Sequence, residues 1–540
     1  MSRREAALSA ALVFVVALLV RAYAASLVGF PKPEDTAYYV DAARNLLGGR
    51  GLVSDSLWSF QTQPLVVPRA AFEVWLPLPT FLAAIPMAAF GLTFAAAQVS
   101  SVLIGSIVPV LAWRLAADVA DERSLPAGRA RTLSIGAGIT AAVSLPLILH
   151  STLPDSTMLF AVLTLSAALL MSRLIRRVQA QAERRGTTAQ ALLLGIVIGL
   201  AALTRNEAIW LGLVWAILAL RLPLALGGRL RLIAIPALVA ILFYAPWALR
   251  DWIAFGNPLP GQALGNALSL DGSDIFAWQD PPTLSRYLAA GLPTLLALRV
   301  TGIGHNLFDV LLLPGAPLSF IGLLGLPWVA RLRSIQPLLL VSIVIFLVTA
   351  LVFPVSTTWG TFLHAAGAVH VLLIVSALLA LDALIAAIGR RRGWTRPVAW
   401  LAPTLTVAGS MLFSAALLPA FGAGSASTAR TLTDLSERLT GAGVPPDAAA
   451  PVITDYPIWV PYVHGGTALA LPHEPASSVL DLARQFGSTT VAVLGADDLR
   501  AELATGSADA RCFEDVTPPA TPALGGHDSD TLRIYRIVCP

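Results

Sequence analysis

Lysine is almost absent from this chain: Lys32 is the only one, and arginine supplies the rest of the 36 basic residues. Charge of either sign is scarce, at 13% of 540 residues against a hydrophobic share of 56%. That balance excludes an ordinary soluble globular protein, in which about 25% of residues are charged. A mean hydropathy of +0.74 places the chain among polytopic membrane proteins. The net charge of +4 implies no nucleic-acid partner, because the arginines cluster in short loops between apolar runs, where they report membrane orientation. Cysteine is limited to Cys512 and Cys539, which either form one disulfide in an oxidising compartment or remain two reduced thiols. There is no internal repeat, low-complexity tract or nucleotide-binding glycine loop.

Long apolar runs are what the chain has instead. The first, Ala6 to Phe30, follows Arg3 and Arg4 and is long enough to cross a hydrocarbon core of ~30 Å at ~1.5 Å per residue. Ala22-Tyr23-Ala24 matches a signal-peptide cleavage pattern, but Arg21 interrupts the approach and the run continues to Phe30. An uncleaved span with a cytoplasmic N-terminus is therefore expected, and Arg21 is placed to snorkel outward. Residues 31–91 then form a first external loop with two juxtamembrane helices. One covers Thr36 to Leu47 and closes on Gly48 and Gly49; the other, Trp75 to Phe90, carries Pro77, Pro79 and Pro86 and should lie along the membrane surface with tryptophan at the interface.

Leu92 to Trp113 crosses inward to Arg114, Arg123, Arg129 and Arg131. From there, arginine-rich loops that share a side must be joined by an even number of crossings. One hairpin ends before Arg173 and has the outer tip His150-Ser-Thr-Leu-Pro-Asp155; a second, Ala191 to Leu220, is interrupted by Thr204-Arg205-Asn206-Glu207. Leu232 to Leu249 leads to a long outer segment reaching Asn306, and Leu307 to Ala330 returns. Pro337 to Phe353 and Ala366 to Ile388 frame an outer loop with His364, and Pro397 to Leu418 crosses last. The expected fold is an α-helical polytopic membrane protein of about eleven transmembrane helices, residues 1–421, in the cytoplasmic (inner) membrane. Residues 422–540 read as a small external α/β domain with strands at Thr467 to Leu471, Thr489 to Leu494 and Leu532 to Val538, and helices at Ser477 to Gln485 and Asp497 to Leu503. Gly422, Gly424, Gly441 and Gly443 read as linker and turn residues.

This topology gathers Glu34, Asp35, Asp155, Arg205 with Glu207, Arg250 with Asp251, and His364 on the outer side. Ionisable groups near hydrocarbon sit at a boundary, line a cavity or have a partner. Each also has a structural reading. Asp35 and Asp155 are placed as helix caps, Arg205 and Glu207 as a mutual pair, Arg250 and Asp251 between Trp247 and Trp252 as an interfacial anchor, and His364 as a satisfied interfacial histidine.

Pro33-Glu-Asp35-Thr-Ala-Tyr38-Tyr39, Trp75-Leu-Pro77-Leu, Leu203-Thr-Arg205-Asn-Glu207, Pro246-Trp-Ala-Leu-Arg250-Asp-Trp and Phe255-Gly-Asn-Pro258 together resemble the GT-C superfamily of polyprenyl-phosphate-sugar-dependent membrane glycosyltransferases. The nearest branch contains protein O-mannosyltransferases and the lipid A aminoarabinose transferase. The resemblance implies an inverting transfer of a hexosyl or pentosyl group from a polyprenyl-phosphate carrier to a glycan, lipid or protein acceptor at the external face. It implies Asp35 as general base, with Glu34 its neighbour and alternative, because the family often has Asp then Glu where this chain has the reverse. Asp155 takes the second acidic position. Arg205, Arg250 and His364 would hold the donor phosphate, and Tyr38, Tyr39, Trp75 and Glu207 would line the substrate cavity. Cation forks suit a departing phosphate and a carboxylate suits the acceptor proton. The carboxylates form no compact ligand motif in the sequence, so no cofactor is expected to be required, although some relatives use a divalent metal. The competing classes are a transporter or flippase for a lipid-linked glycan, which paired repeats would favour, and a non-catalytic cell-envelope assembly protein.

Overall fold

The computed structural model describes residues 3–181, 184–394, 398–495, 497–519 and 531–539. Pro397, expected to open the last crossing, lies outside them. Helix α1 (Arg3–Leu27) buries Ser9, Val13, Ala17, Arg21 and Ala24, a helical-period stripe, while Leu8, Leu12 and Leu19 stay exposed as a lipid-facing side would. Arg21 does not snorkel. It is fully buried and donates through Nε to Ser151 Oγ at 2.9 Å and through Nη1 to the Ala142 carbonyl at 3.0 Å. That carbonyl ends α5 (Ala127–Ala142), which bends by 55° into α6 (Leu145–Ser151). The buried cation thus satisfies a carbonyl freed at a helix break.

Between α1 and α5 lie α2 (Glu34–Leu47), α3 (Leu78–Phe90) and α4 (Phe94–Glu122). Then follow α7 (Ser156–Gln179), α8 (Arg184–Ala202), α9 (Ile209–Leu220) and α10 (Leu226–Phe255). Next come α11 (Gly291–Gly304), α12 (Leu318–Val329), α13 (Gln336–Leu351), the short α14 (Thr361–Ala365), α15 (Gly367–Arg391) and α16 (Leu401–Gly441). Seven of the described helices are long and apolar enough to cross a membrane, and the bent α5–α6 pair makes an eighth. The shorter apolar helices α8, α9, α12 and α13 fall on the remaining expected crossings, so the chain is a multi-pass membrane protein. The break between α8 and α9 is a 3-10 turn at Asn206–Ala208, within the expected polar interruption.

One segment differs from expectation. The outer stretch expected to reach Asn306 is helical from Gly291, and it continues as a π-helix at His305–Leu312 before α12. At the far end, the Glu122 carboxylate accepts from the backbone N–H of Arg333 at 2.8 Å and Ser334 at 2.9 Å. Arg176 donates to Ser334 Oγ at 3.1 Å and Arg129 to Asp382 at 2.5 Å. These arginine loops therefore share one end of the bundle.

The α/β region is not assembled from the C-terminal residues alone. Its sheet has the order β1 (Ser56–Leu57), β3 (Ala468–Ala470), β2 (Val452–Thr454), β4 (Thr490–Val493), β6 (Arg533–Ile537), β5 (Phe513–Asp515). The first four strands are parallel and β6 and β5 antiparallel, so a strand of the first loop completes the parallel edge. Strands β2, β3 and β4 are buried throughout, as parallel strands covered on both faces must be. Cys512 and Cys539 form the disulfide. Gly422 and Gly424 are not linker residues: α16 runs through them to Gly441. A Cβ at Gly422 would lie 2.9 Å from the Leu27 carbonyl, so the glycine permits α16 to touch the end of α1.

Close helix approach recurs at α12 against α15, where a Cβ on Gly322 would stand 2.2 Å from the Leu373 carbonyl oxygen. Small residues at such crossings let backbones meet inside a bundle. Gly322→Ala is expected to destabilise the detergent-solubilised protein by about 1 to 3 kcal/mol, read as a lower thermal midpoint. Gly212→Ala, which meets nothing within 4 Å, should leave it unchanged or slightly raised; equal effects would contradict this packing.

Candidate active site

Four elements converge where α2 meets the bundle. Asp35, in the first turn of α2, places Oδ2 3.0 Å from His364 Nε2. His364 Nδ1 lies 2.7 Å from Thr157 Oγ1 and 3.9 Å from Asp155 Oδ2. Asp155 is the N-cap of α7, its Oδ1 accepting from the Thr157 N–H at 2.7 Å, so one residue serves both cap and cluster. Asp35 is not a cap: Pro33 holds that position without a side-chain bond, and Asp35 Oδ1 instead accepts from the Thr36 N–H at 2.9 Å.

Arg205 ties the cluster together. It grips Glu207 through Nε at 3.1 Å and Nη2 at 2.7 Å, donates through Nη1 to Ser156 Oγ at 2.9 Å and through Nη2 to the Thr361 carbonyl at 3.2 Å. Burial depresses the His364 imidazole to about 3, and Arg205 adds to the effect. The ring is therefore neutral near pH 7. With Thr157 Oγ1–H donating to Nδ1, Nε2–H is left to donate to Asp35. Burial pushes the Asp155 carboxyl up to about 8, with Asp35 contributing. Burial also raises Asp35, while Arg205 and the Thr36 N–H pull it back toward its ionised form. Two neighbouring carboxyls with one excess proton and a fixed cation are suited to moving a proton.

Glu34 and Asp35 face different partners. Glu34 stands near the Ile458 N–H and Asp455, and burial followed by Asp455 raises it to about 8. Asp455 follows directly on β2 and accepts from the Leu494 N–H at 3.0 Å and the Gly495 N–H at 2.7 Å. Glu34 thus contacts the α/β sheet, while Asp35 contacts the membrane helices.

The other expected residues divide between two groups. Tyr39 is fully buried on the Asp35 side, near Ser156. Tyr38 accepts from the Phe72 N–H at 2.6 Å and packs on Trp75, with ring centroids 4.3 Å apart; Trp75 in turn meets Trp58 at 4.9 Å. Trp75 precedes α3 and belongs to this aromatic core. Arg250 joins the second group: it pairs with Asp251 at 2.9 Å, reaches the Leu52 carbonyl at 3.5 Å and lies 4.8 Å from the Trp247 ring centre. Ser156, Thr157 and Thr361 carry no signal in the sequence, because single hydroxyls and a carbonyl acquire meaning only when packing brings them to Arg205 and His364. His150 was legible only as part of the hairpin tip.

Residues distant in the sequence bring possible metal ligands together. Ligand atoms of His150, Asp155 and His364 lie within 4.8 Å of one another, and His150 Nδ1 and Asp155 Oδ2 are buried without hydrogen-bond partners. Two imidazoles and a carboxylate are a fitting donor set for a divalent transition metal.

The Glu34 environment makes stability pH-dependent. Unfolded glutamate titrates near ~4.3, so between about pH 4.5 and 8 the folded protein binds the extra proton and loses stability as pH rises. Thermal midpoints measured across this range should fall less steeply for Glu34→Gln than for the native protein. Parallel curves would contradict the assignment.

No family profile matches the sequence, and no curated protein matches it. Solved structures do match. ArnT from Cupriavidus metallidurans in the apo state superposes with a TM-score of 0.54 over 97% of this chain and 97% of its own, at 15% identity. The same protein bound to undecaprenyl phosphate gives 0.53 at 13% identity. An oligosaccharyltransferase from Archaeoglobus fulgidus, tethered with an acceptor peptide, gives 0.55 over 89% of this chain and 68% of its own, at 15% identity. The chain accordingly shares its fold with ArnT and with the archaeal oligosaccharyltransferase.

Proposed function

We propose that the protein is an inverting glycosyltransferase that moves a hexosyl or pentosyl group from a polyprenyl-phosphate carrier to an acceptor hydroxyl at the external membrane face. The observation that carries this reading is Asp35 Oδ2 at 3.0 Å from His364 Nε2, in a cluster with Asp155 and Arg205. Asp35 takes the acceptor proton as the acceptor oxygen attacks the anomeric carbon. The bond from that carbon to the phosphate oxygen breaks, and the carrier leaves as polyprenyl phosphate. Glu34, turned toward Asp455, is not the base in this reading. His364 orients the Asp35 carboxylate, so its role shifts from phosphate ligand to partner of the base.

Arg205 serves as a cation fixed in place by Glu207 and stabilises the departing phosphate, while Arg250 stays with Asp251 and Trp247 in the first-loop group. A divalent cation held by His150 and Asp155, with His364 joining only if Nδ1 were released from Thr157, would supply a Lewis acid for the same phosphate; the transfer as proposed runs on the chain's own residues. A small recess of about 10 Å³ beside Asp155, lined by Pro79, Leu82, Ser100, Ser101 and Met158, has room for about one water. ArnT was solved with undecaprenyl phosphate, which supports a lipid-phosphate donor for this fold. External action further implies that the N-terminus is cytoplasmic and the α/β domain external.

The test is Asp35→Asn, followed by release of polyprenyl phosphate from polyprenyl-phosphate pentose and hexose donors, with cell-envelope extract as acceptor source. Turnover should fall by about 10²-fold or more while the thermal midpoint holds. Native turnover in a folded variant would overturn the assignment of Asp35 as base.

A further inference from the structure

His364 sits on a short segment that needs an anchor. The 3-10 turn Ser356–Trp359 leads through Gly360 into α14, and Gly360, at φ 112°, has no Cβ to clash with His364 Nε2, which would lie only 3.2 Å away. The Gly360 N–H donates to the Thr357 carbonyl at 3.1 Å, and the His364 N–H to the Gly360 carbonyl at 3.0 Å. Thr361, whose carbonyl takes Arg205 Nη2, donates through its hydroxyl to the Ser356 carbonyl at 3.0 Å. The position of His364 therefore follows that of Thr357.

Thr357 is held from outside the turn by one side chain. Its Oγ1–H donates to Asn306 Oδ1 at 2.7 Å, and Asn306 Nδ2 donates to Thr349 Oγ1 on α13 at 3.0 Å. Asn306 and Thr357 are completely buried, and Thr349 nearly so. Thr349 spends its own proton on the Ile345 carbonyl at 2.8 Å, which leaves its lone pair for the amide. Asn306 lies in the π-helix His305–Leu312, a form concentrated at functional sites. Gly302, just before it, allows close contact: a Cβ there would meet the Ala350 carbonyl at 3.0 Å and Pro354 Cα at 3.2 Å.

We propose that Asn306 is a positioning residue for the transfer reaction, its amide bridging Thr349 and Thr357 so that the Ser356–Thr361 turn holds His364 against Asp35. This rests on the reading of Asp35 as base. It assigns a function to a residue that touches neither substrate nor base, since a buried Asn in a membrane bundle otherwise serves only as interhelical glue.

The test compares Thr357→Val, which keeps the shape and removes the hydroxyl, with Thr357→Ser, which restores it, and with Asn306→Ala alone and combined with Thr357→Val. In the polyprenyl-phosphate release assay, Thr357→Val and Asn306→Ala should each lower kcat by about 10-fold or more with the donor KM within about twofold. Thr357→Ser should recover most of the native rate, and the double variant should be no worse than Asn306→Ala. Native kcat in Thr357→Val, no recovery in Thr357→Ser, or additive losses would each overturn the proposal. If Asn306→Ala does not fold, the Thr357 pair decides. Asp35→Asn runs alongside: its loss of turnover with native Thr357→Val overturns only the positioning role, whereas its retained turnover removes the base and with it this inference.

Discussion

The hydrogen bond from His364 to Asp35 is where the parts of this molecule depend on one another. Asp35 comes from a helix of the first loop, His364 from a turn late in the bundle, and neither is held by local structure alone. Arg205 links the break between α8 and α9 to the start of α7 and to the His364 turn, while Asp155 begins α7 with its cap and faces His364. The low dielectric that makes these contacts strong also makes any unpaired member costly. Four separate chain segments thus end within one small volume, each supplying a partner to another.

The adjacent carboxylates Glu34 and Asp35 show how one helix turn serves two purposes. Successive residues on a helix point about 100° apart, so Glu34 meets the α/β sheet while Asp35 meets the membrane helices. Strand β1, contributed by the first loop, and Ser425, which bonds the Phe30 N–H at 3.1 Å and carbonyl at 2.9 Å, hold the same loop from both sides. The α/β region thus acts as the outer wall of the Asp35 site, coupled to it through the first loop and through α16, which is continuous into the bundle.

Much of the fold was legible because membrane helices and buried strands carry strong periodic signals. Thr489 to Leu494 and Ser477 to Gln485 anticipate Thr490–Val493 and Ala476–Phe486 to within a residue or two. The misses have physical causes. Gly422 and Gly424 suggested a linker because glycine weakens helices, yet Gly422 is there for contact with α1, which no local pattern reveals. Arg21 suggested snorkelling because its carbonyl partner belongs to a break in another helix. At the site, charge marked Asp35, Asp155, Arg205 and His364, whereas Thr157, Ser156 and Asn306 needed the tertiary structure. Arg250 was grouped with Arg205 by sidedness alone, and its contacts lie with Asp251, Trp247 and Leu52 instead.

The most direct measurement of the central claim is a cryo-EM structure with a non-transferable phosphonate analogue of a polyprenyl-phosphate sugar. The account predicts the phosphonate on the Arg205 side and the open face of the anomeric carbon toward Asp35, with room for one acceptor oxygen. A sugar phosphonate bound at the arginine-loop end of the bundle, or with its anomeric carbon out of reach of Asp35, would contradict it.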